Sequence, residues 1–307
     1  MEYSRQGRPP VRLSKLRGQH FLTDKNIVQK IIGAAELAPN DTVLEVGPGL
    51  GVMTREILPR VGHLVAVELD PFFVHDLRAE FAEASPRKIE IVEGDILKIR
   101  TPDLLSSLFV TPTKVGVHDR SSVDPDFHRD DKRGMDYKLI TNLPYNITSA
   151  FLKKFLIEPP APEQIVVMLQ KEVADRIVSH ASRATSQAPT SMLGLMCNLY
   201  AECSLICKVP AAAFAPPPKV DSAVISLMPY SAEIFAAKWG IGRDFAEDIM
   251  AMAAKFFAQP RKKMCGAFGR GLRDKCQVAL REIGENPDSR PAALGVGKWV
   301  ELWKKLR

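Results

Sequence analysis

A glycine-rich turn between an apolar run and a helical pattern constrains the fold of this chain most. The turn contains Gly47, Gly49 and Gly51 and directly follows the apolar residues 43–46. Glycines allow a tight turn and let a ligand approach the backbone without a Cβ in the way. At the first crossover of a doubly wound sheet, such a turn binds nucleotide-like ligands. The segment therefore predicts an α/β fold with a ligand site at Gly47 and Gly49.

Further apolar runs extend this sheet along the chain. Runs of strand length occur at 43–46, 64–67, 89–92, 138–140 and 165–169. Helix-like segments such as 53–58 and 72–82 separate most of them, which indicates a parallel sheet covered on both faces. Two later runs, 203–209 and 223–228, flank a proline-rich turn at 216–218 and are expected to close the sheet as an antiparallel pair.

The strand pattern stops near Ser231, after which the apolar spacing is helical. Helices are predicted after an N-cap at Thr23 or Asp24, and at 245–257, 263–270, 273–283 and 291–306. We expect a flexible basic arm at 1–17, a ligand-binding catalytic domain at 18–230 and a small all-helical domain at 231–307. Residues 110–136 are highly charged and poor in apolar side chains, which predicts an exposed insertion.

Composition narrows the class of protein. The 307 residues carry a net charge of +6, which favours a polyanionic partner without establishing one. The five cysteines form no C-x-x-C pair, so we expect reduced thiols, a cytoplasmic location and no metal site. No apolar run is long enough to cross a membrane. A transit peptide fits the N-terminus poorly, because Glu2 and two prolines stand among its basic residues.

Acidic residues follow the next two predicted strands. Glu68 lies about 20 residues beyond the glycines, where an acid accepts hydrogen bonds from the ribose hydroxyls of a bound adenosine. Asp95 follows the third strand, where it can accept from an adenine amino group. The dinucleotide fingerprint is incomplete, because Val52 stands where its last glycine would be, and no P-loop lysine follows. The ligand is therefore expected to be an adenosine without a phosphate chain.

The fourth strand leads into Asn142-Leu143-Pro144-Tyr145, the most informative motif of the chain. The amine N6 of adenine is a poor nucleophile, because its lone pair is delocalised into the ring. The Asn142 side chain and the Leu143 carbonyl can accept both amine hydrogens and so localise that lone pair. Tyr145 offers a stacking face, worth roughly 1–3 kcal/mol per base. A sulfonium donor needs no strong base, so the motif predicts methyl transfer by positioning and polarisation.

These motifs resemble those of the ribosomal RNA adenine dimethyltransferases over nearly the whole chain, from about residue 16 to 306. The segments that carry the resemblance are 18–22, 45–51, Glu68, 94–95, 142–146, 214–222, 261–263 and 290–294. The resemblance implies a Rossmann-like S-adenosylmethionine-dependent methyltransferase sheet with a helical, rRNA-binding C-terminal domain. It also implies that two adjacent adenosines near the 3′ end of small-subunit, 16S-type rRNA are methylated during ribosome assembly. We expect a monomer.

Individual residues take roles from the same resemblance. Cofactor contacts are implied at Gln19, His20, Leu22, Gly47, Glu68, Asp95 and Asn142. Asn142 and Tyr145 would hold the target adenine, with Phe214 stacking on its other face. Lys219 would lie against rRNA. His20 departs from the family, in which asparagine is commoner, and the 110–136 insertion is longer than expected.

Three alternatives stay open. The large-subunit rRNA methylases that confer macrolide resistance share the glycine turn and a similar tetrad. Leu143 and the segments 218–222 and 290–294 favour the small-subunit group. A relative recruited as a mitochondrial transcription factor or a non-catalytic assembly factor would not need the intact tetrad. A nicotinamide-dependent oxidoreductase is opposed by the missing third glycine.

Overall fold

The computed structural model describes residues 20–84, 88–106, 136–178, 191–259, 262–267 and 270–307, and the residue pairs 2–3 and 11–12. Its strands, in chain order, are β1 (Glu2–Tyr3), β2 (Val11–Arg12), β3 (Phe21–Leu22), β4 (Thr42–Val46), β5 (His63–Glu68), β6 (Ile89–Glu93), β7 (Lys138–Asn142), β8 (Gln164–Gln170), β9 (Ala201–Val209), β10 (Phe214–Ala215) and β11 (Ser222–Pro229). Seven of them form one sheet in the order β6-β5-β4-β7-β8-β11-β9.

This sheet confirms the strands predicted from the sequence. Strands β4 to β8 are parallel to one another, and β11 runs antiparallel to both β8 and β9. The parallel strands at the centre of the sheet are buried almost throughout, because helices cover both faces. Such strands have no solvent face, which is why they appear in the sequence as continuous apolar runs rather than alternating ones.

Helices cover the two faces of the sheet and continue beyond its last strand. In chain order they are α1 (Lys25–Ala34), α2 (Val52–Ile57), α3 (Pro71–Glu80), α4 (Thr101–Ser106), α5 (Thr148–Ile157), α6 (Lys171–Val178), α7 (Met192–Tyr200), α8 (Ala232–Trp239), α9 (Ala246–Phe257), α10 (Arg270–Glu282) and α11 (Val296–Leu306). Asp24 caps α1 by accepting from the backbone N–H groups of Asn26 and Ile27, which selects the second of the two predicted caps.

The predicted C-terminal helices are partly wrong. In the helix predicted at 263–270, the described residues form a short 3-10 turn, Met264–Ala267, and Arg270 is the first residue of α10. The single helix predicted at 291–306 is two elements, because Leu294 is extended and Gly295 is the N-cap of α11. Helix α8 was not predicted. It begins after Ser231, whose hydroxyl accepts from the Ile234 N–H.

The C-terminal helices share one apolar core with the sheet. The rings of Tyr200 and Phe235 lie 6.2 Å apart, and the Trp239 indole donates to the Leu199 carbonyl at 3.0 Å. Arg243 donates to the carbonyl of Leu156 at 2.7 Å. These contacts fix the helical region against α5 and α7, while a domain boundary near residue 230 stays a prediction.

Several predictions fall wholly or largely on residues outside the described ranges. They concern Gln19, most of the basic arm at 1–17 and all but the last residue of the 110–136 insertion. Within the arm, β1 and β2 pair with each other in antiparallel register. The five cysteines are free thiols. In the part of the chain that is described, no helix has the length and apolar content needed to span a membrane.

Candidate active site

A cleft opens where β4, β5 and β7 end. In doubly wound sheets, ligands bind at this carboxyl edge. The cleft brings together residues from widely separated parts of the sequence: His20, Phe21, Leu22, Gly47, Pro48, Gly49, Leu50, Val52, Met53, Glu68, Phe73, Asn142, Leu143, Pro144, Tyr145 and Phe214. It therefore contains every predicted site residue except Asp95 and Gln19, which lies outside the described residues.

The glycine turn forms the floor of this cleft. Gly49 and Gly51 have φ angles of 53° and 71°, in the left-handed region that side chains other than glycine rarely adopt. A Cβ on Gly51 would also lie 2.9 Å from Leu77 of α3. A Cβ on Gly49 would lie 3.2 Å from the ring of Phe21, which packs over the turn. Glycine is therefore required here both by backbone conformation and by close packing.

Glu68 joins the end of β5 to the glycine turn. One carboxylate oxygen accepts from the Gly49 N–H at 2.9 Å, and the other accepts from the Asp70 N–H at 2.9 Å. Burial raises the pKa of Glu68 above its ordinary value, while the backbone hydrogen bonds act in the opposite direction. A carboxylate has about four acceptor positions, so Glu68 can still accept from a ligand hydroxyl in the cleft.

Asp95 does not line the cleft. Its side chain accepts from the Leu97 N–H at 3.0 Å and lies 3.8 Å from the Lys98 ammonium group. The sequence placed Asp95 correctly at a strand end, but the side chain caps its own turn.

The Asn142–Tyr145 tetrad begins at the last residue of β7. The backbone carbonyl of Asn142 lies 3.7 Å from where a Gly47 Cβ would stand, so the tetrad adjoins the glycine turn. Among the described residues, none forms a hydrogen bond with the Asn142 side chain, which leaves its amide available to a ligand. Tyr145 is half-buried, and its hydroxyl lies 2.6 Å from that of Ser222.

A two-stranded ribbon contributes residues to the wall of the cleft. Strand β3 pairs antiparallel with β10, so that Leu22 lies opposite Phe214. The Ala213 carbonyl accepts from the Thr23 N–H at 2.8 Å and from the Thr23 hydroxyl at 3.0 Å. Nδ1 of His20 lies 2.8 Å from the Pro216 carbonyl, and because a carbonyl only accepts, Nδ1 carries the hydrogen. The ribbon thus joins the predicted cofactor residues directly to the predicted adenine-stacking residue.

Phe21 and Glu45 are two further residues of this region that the sequence analysis did not single out. The Phe21 ring lies edge-on to Phe73, with ring centroids 5.4 Å apart, and contributes to the cleft wall. Glu45 is fully buried in β4 and accepts from the Thr54 hydroxyl at 2.7 Å. Burial raises the pKa of Glu45 to about 8, and the Thr54 hydrogen bond offsets this rise only in part.

In the described part of the chain, no three His, Cys, Asp or Glu side chains form a metal-binding group.

Comparison with known proteins assigns the family. The family model for ribosomal RNA adenine dimethylases matches residues 12–241, which include the glycine turn, the tetrad and Phe214. The chain belongs to the ribosomal RNA adenine dimethylase family. This assignment confirms the Rossmann-like fold, the S-adenosylmethionine cofactor and the methylation of rRNA adenine that the sequence predicted.

Two relatives are similar in sequence over nearly the full length of this chain. Ribosomal RNA small subunit methyltransferase A from Dehalococcoides mccartyi is 35% identical over 295 residues, which are 95% of this chain and 88% of that protein. The protein of the same name from Trichormus variabilis is 33% identical and covers 95% of this chain and 97% of its own length.

Solved structures have the same fold. The 23S rRNA methyltransferase ErmE is 25% identical with a TM-score of 0.66, covering 93% of this chain and 99% of its own. A dimethyladenosine transferase from Plasmodium falciparum is 22% identical with a TM-score of 0.65. The match covers 92% of this chain and 96% of that protein. At that identity, the second likeness shows the fold alone.

The cleft fits S-adenosylmethionine. Its floor is a turn of left-handed glycines with no lysine for a phosphate chain, which suits a nucleoside rather than a nucleotide. Glu68 stands at the adjacent strand end with acceptor positions to spare. The apolar side chains of Leu22, Leu50 and Met53 supply the remaining wall. The cofactor supplies an activated methyl group when it is bound.

Proposed function

We propose that the protein dimethylates N6 of two adjacent adenosines near the 3′ end of small-subunit rRNA during ribosome assembly. The observation that carries this proposal is the position of the Asn142–Tyr145 tetrad, beside the glycine turn and in one cleft with Glu68. A nucleoside site and a polarising amide therefore adjoin each other. This arrangement is what methyl transfer to an exocyclic amine requires.

Similarity to relatives favours the small ribosomal subunit as the substrate. Two proteins named as small-subunit methyltransferases are 35% and 33% identical to this chain, whereas the 23S rRNA methyltransferase ErmE is 25% identical. The difference agrees with Leu143 and the segments 218–222 and 290–294, which favour the small-subunit group. An intact Asn142 opposes a purely non-catalytic assembly factor.

The lining of the cleft supports the proposed cofactor contacts. Glu68 would accept from the ribose hydroxyls, and the backbone of Gly47 and Gly49 would lie against the cofactor without side chains between them. His20 and Leu22 would complete the wall on the ribbon side. Gln19 and Asp95 stay predictions from the family, since Gln19 lies outside the described residues and Asp95 lies outside the cleft lining.

The chain's own residues would position and polarise the target amine. The Asn142 side-chain oxygen and the Leu143 carbonyl would accept the two N6 hydrogens, which localises the nitrogen lone pair toward the methyl donor. Tyr145 and Phe214 would stack on the two faces of the adenine. The base must leave its RNA stack to enter, at a cost of a few kcal/mol that stacking on the two rings offsets.

The charge distribution supports an RNA-binding role for the C-terminal region. Residues 231–307 contain 15 Lys and Arg but nine Asp and Glu, so this quarter of the chain carries the whole net charge of +6. Residues 1–230 are neutral overall. Contacts with phosphates dominate the affinity of proteins for nucleic acids. The basic residues 231–307 are therefore a better candidate for rRNA binding than the neutral residues 1–230. We propose that the whole protein acts in the cytoplasm as a monomer.

Glu68→Ala is expected to weaken S-adenosylmethionine binding by about 10- to 100-fold, the usual effect of losing hydrogen bonds to a charged group. Calorimetric titration with the cofactor measures the dissociation constant. Glu68→Gln is the matched control, because it keeps one acceptor and should bind with intermediate affinity. An unchanged dissociation constant in a folded Glu68→Ala protein would remove Glu68 from the ribose role.

Incubation with radiolabelled S-adenosylmethionine and unmodified small subunits tests the proposed function directly. We expect label in N6,N6-dimethyladenosine after the RNA is digested and its nucleosides are separated. Label in large-subunit RNA alone would move the protein to the resistance-type methylases. Tight binding of the subunit without any label would instead indicate an assembly factor.

A further inference from the structure

We propose that Asp221 and Ser222 are positioning residues that together set the separation of the two aromatic faces of the adenine slot. The slot is the space between the rings of Tyr145 and Phe214, and the inference rests on the proposed function, which places adenine there. Neither Asp221 nor Ser222 lines the cleft itself. Each would act through one of the two rings.

Ser222 fixes the first face. It is the first residue of β11, is fully buried, and is paired with Gln170 of β8 on one side and Val209 of β9 on the other. The sheet therefore determines where its hydroxyl lies, and that hydroxyl is 2.6 Å from the Tyr145 hydroxyl. Burial raises the pKa of Tyr145, so the phenol keeps its proton and the bond is one between two neutral hydroxyls.

Asp221 fixes the second face. Its carboxylate accepts from the Ala211 N–H at 3.0 Å. Ala211 begins the 3-10 turn Ala211–Ala213, which leads directly into Phe214. The Asp221 carbonyl also accepts from the Lys171 N–H at 3.0 Å, which ties the residue to the end of β8. The turn that carries Phe214 is thus attached to the same end of the sheet as Tyr145.

Two consecutive residues therefore connect the sheet to both rings. The Tyr145 hydroxyl and the turn that precedes Phe214 are thus both attached to the start of β11, which lies between two neighbouring strands. Stacking on both faces of a base requires the rings to lie at one particular separation. Loss of either bond should loosen the hold on adenine and leave the cofactor side of the cleft unchanged.

A double-mutant cycle on Ser222→Ala and Tyr145→Phe tests the first half of this proposal. Ser222→Ala is expected to lower kcat/KM for unmodified small subunits by about 3- to 10-fold, the effect of one neutral hydrogen bond. In the Tyr145→Phe background the same change should have no further effect, because its partner hydroxyl is already absent. The dissociation constant for S-adenosylmethionine and the melting temperature are measured for all four proteins.

Ser226→Ala is the matched control. Ser226 is a second buried serine on β11, but it bonds the Gln164 amide at 3.0 Å, away from the cleft. The kcat/KM of the Ser226→Ala protein should equal that of the wild type.

For the second half of the proposal, Asp221→Ala should lower kcat/KM. Asp221→Asn should keep kcat/KM near the wild-type value, since the asparagine oxygen can still accept from the Ala211 N–H.

Three results would overturn the proposal. One is an effect of Ser222→Ala that is the same in both backgrounds, since an additive effect means that Ser222 does not act through Tyr145. A second is a loss of cofactor affinity that accounts for the whole change. The third is an Asp221→Asn protein as impaired as Asp221→Ala. A wild type that labels no adenosine contradicts the proposed function instead, and this separate outcome removes the slot on which the inference rests.

Discussion

Asn142→Ala is expected to lower kcat for rRNA methylation by at least about 100-fold, while S-adenosylmethionine affinity changes little. Removing one preorganised polar group that acts on the reacting atoms typically costs 100- to 1,000-fold in kcat. Asn142 stands at the end of β7 with no hydrogen-bond partner for its side chain among the described residues. Its loss therefore breaks no bond within the described part of the fold. This agrees with the proposed role of its amide in binding the substrate amine.

Single-turnover methylation of unmodified small subunits measures this effect, because it separates chemistry from product release. Cofactor titration and thermal melting of the same protein serve as controls for binding and folding. Wild-type turnover in a folded Asn142→Ala protein that binds the cofactor would contradict polarisation of the amine. A matching loss of cofactor affinity would instead assign Asn142 chiefly to the cofactor.

The parts of the site that the sequence predicted are those encoded locally. Gly47, Gly49 and Glu68 follow buried strands, and the carboxyl ends of adjacent parallel strands necessarily meet at one edge of the sheet. The tetrad is also local, because Asn142 ends a strand and Pro144 fixes the turn that follows. In each case the residue type and the strand end stand within a few positions of each other.

The parts that the sequence did not predict depend on contacts between distant residues. His20 contacts Pro216, which lies 196 positions away, and Tyr145 contacts Ser222, which lies 77 positions away. No periodicity or spacing encodes such pairs. The Asp95 side chain bonds its own turn, a competing local contact that a strand-end pattern cannot distinguish from a ligand contact.

The C-terminal helices were misplaced for a different physical reason. The apolar spacing continues through Leu294 and Val296, so the pattern favours one helix, while the backbone turns at Leu294 and Gly295. Pro291 suits the first turn of a helix, and here it begins only a 3-10 turn. In the observed conformation Leu294 is completely buried, a tertiary contact that apolar spacing does not encode.

Glu45 provides the second large expected effect, a loss of stability as the pH rises. Its carboxyl is fully buried beneath the glycine turn, and burial raises its pKa from 4.5 to about 8. Between these two values the unfolded chain has lost the proton while the folded protein keeps it. The free energy of unfolding should therefore fall with rising pH, by up to about 1.4 kcal/mol per pH unit. Below the lower value both states are protonated and this dependence vanishes.

Glu45→Gln should remove this slope, because the amide is a neutral side chain of the same shape that can still accept from the Thr54 hydroxyl. Urea unfolding at pH 5, 6, 7 and 8 measures the free energy for both proteins. Glu68 also has a raised pKa, but it is present in both proteins, so the comparison isolates Glu45 together with its charge interaction with Glu68. Glu83→Gln, which changes an exposed carboxylate, is the matched control and should keep the wild-type slope. Parallel curves for the wild type and Glu45→Gln would mean that Glu45 is ionised in the folded protein. In that case a buried negative charge, rather than a neutral acid, lies next to the turn that we propose binds the cofactor.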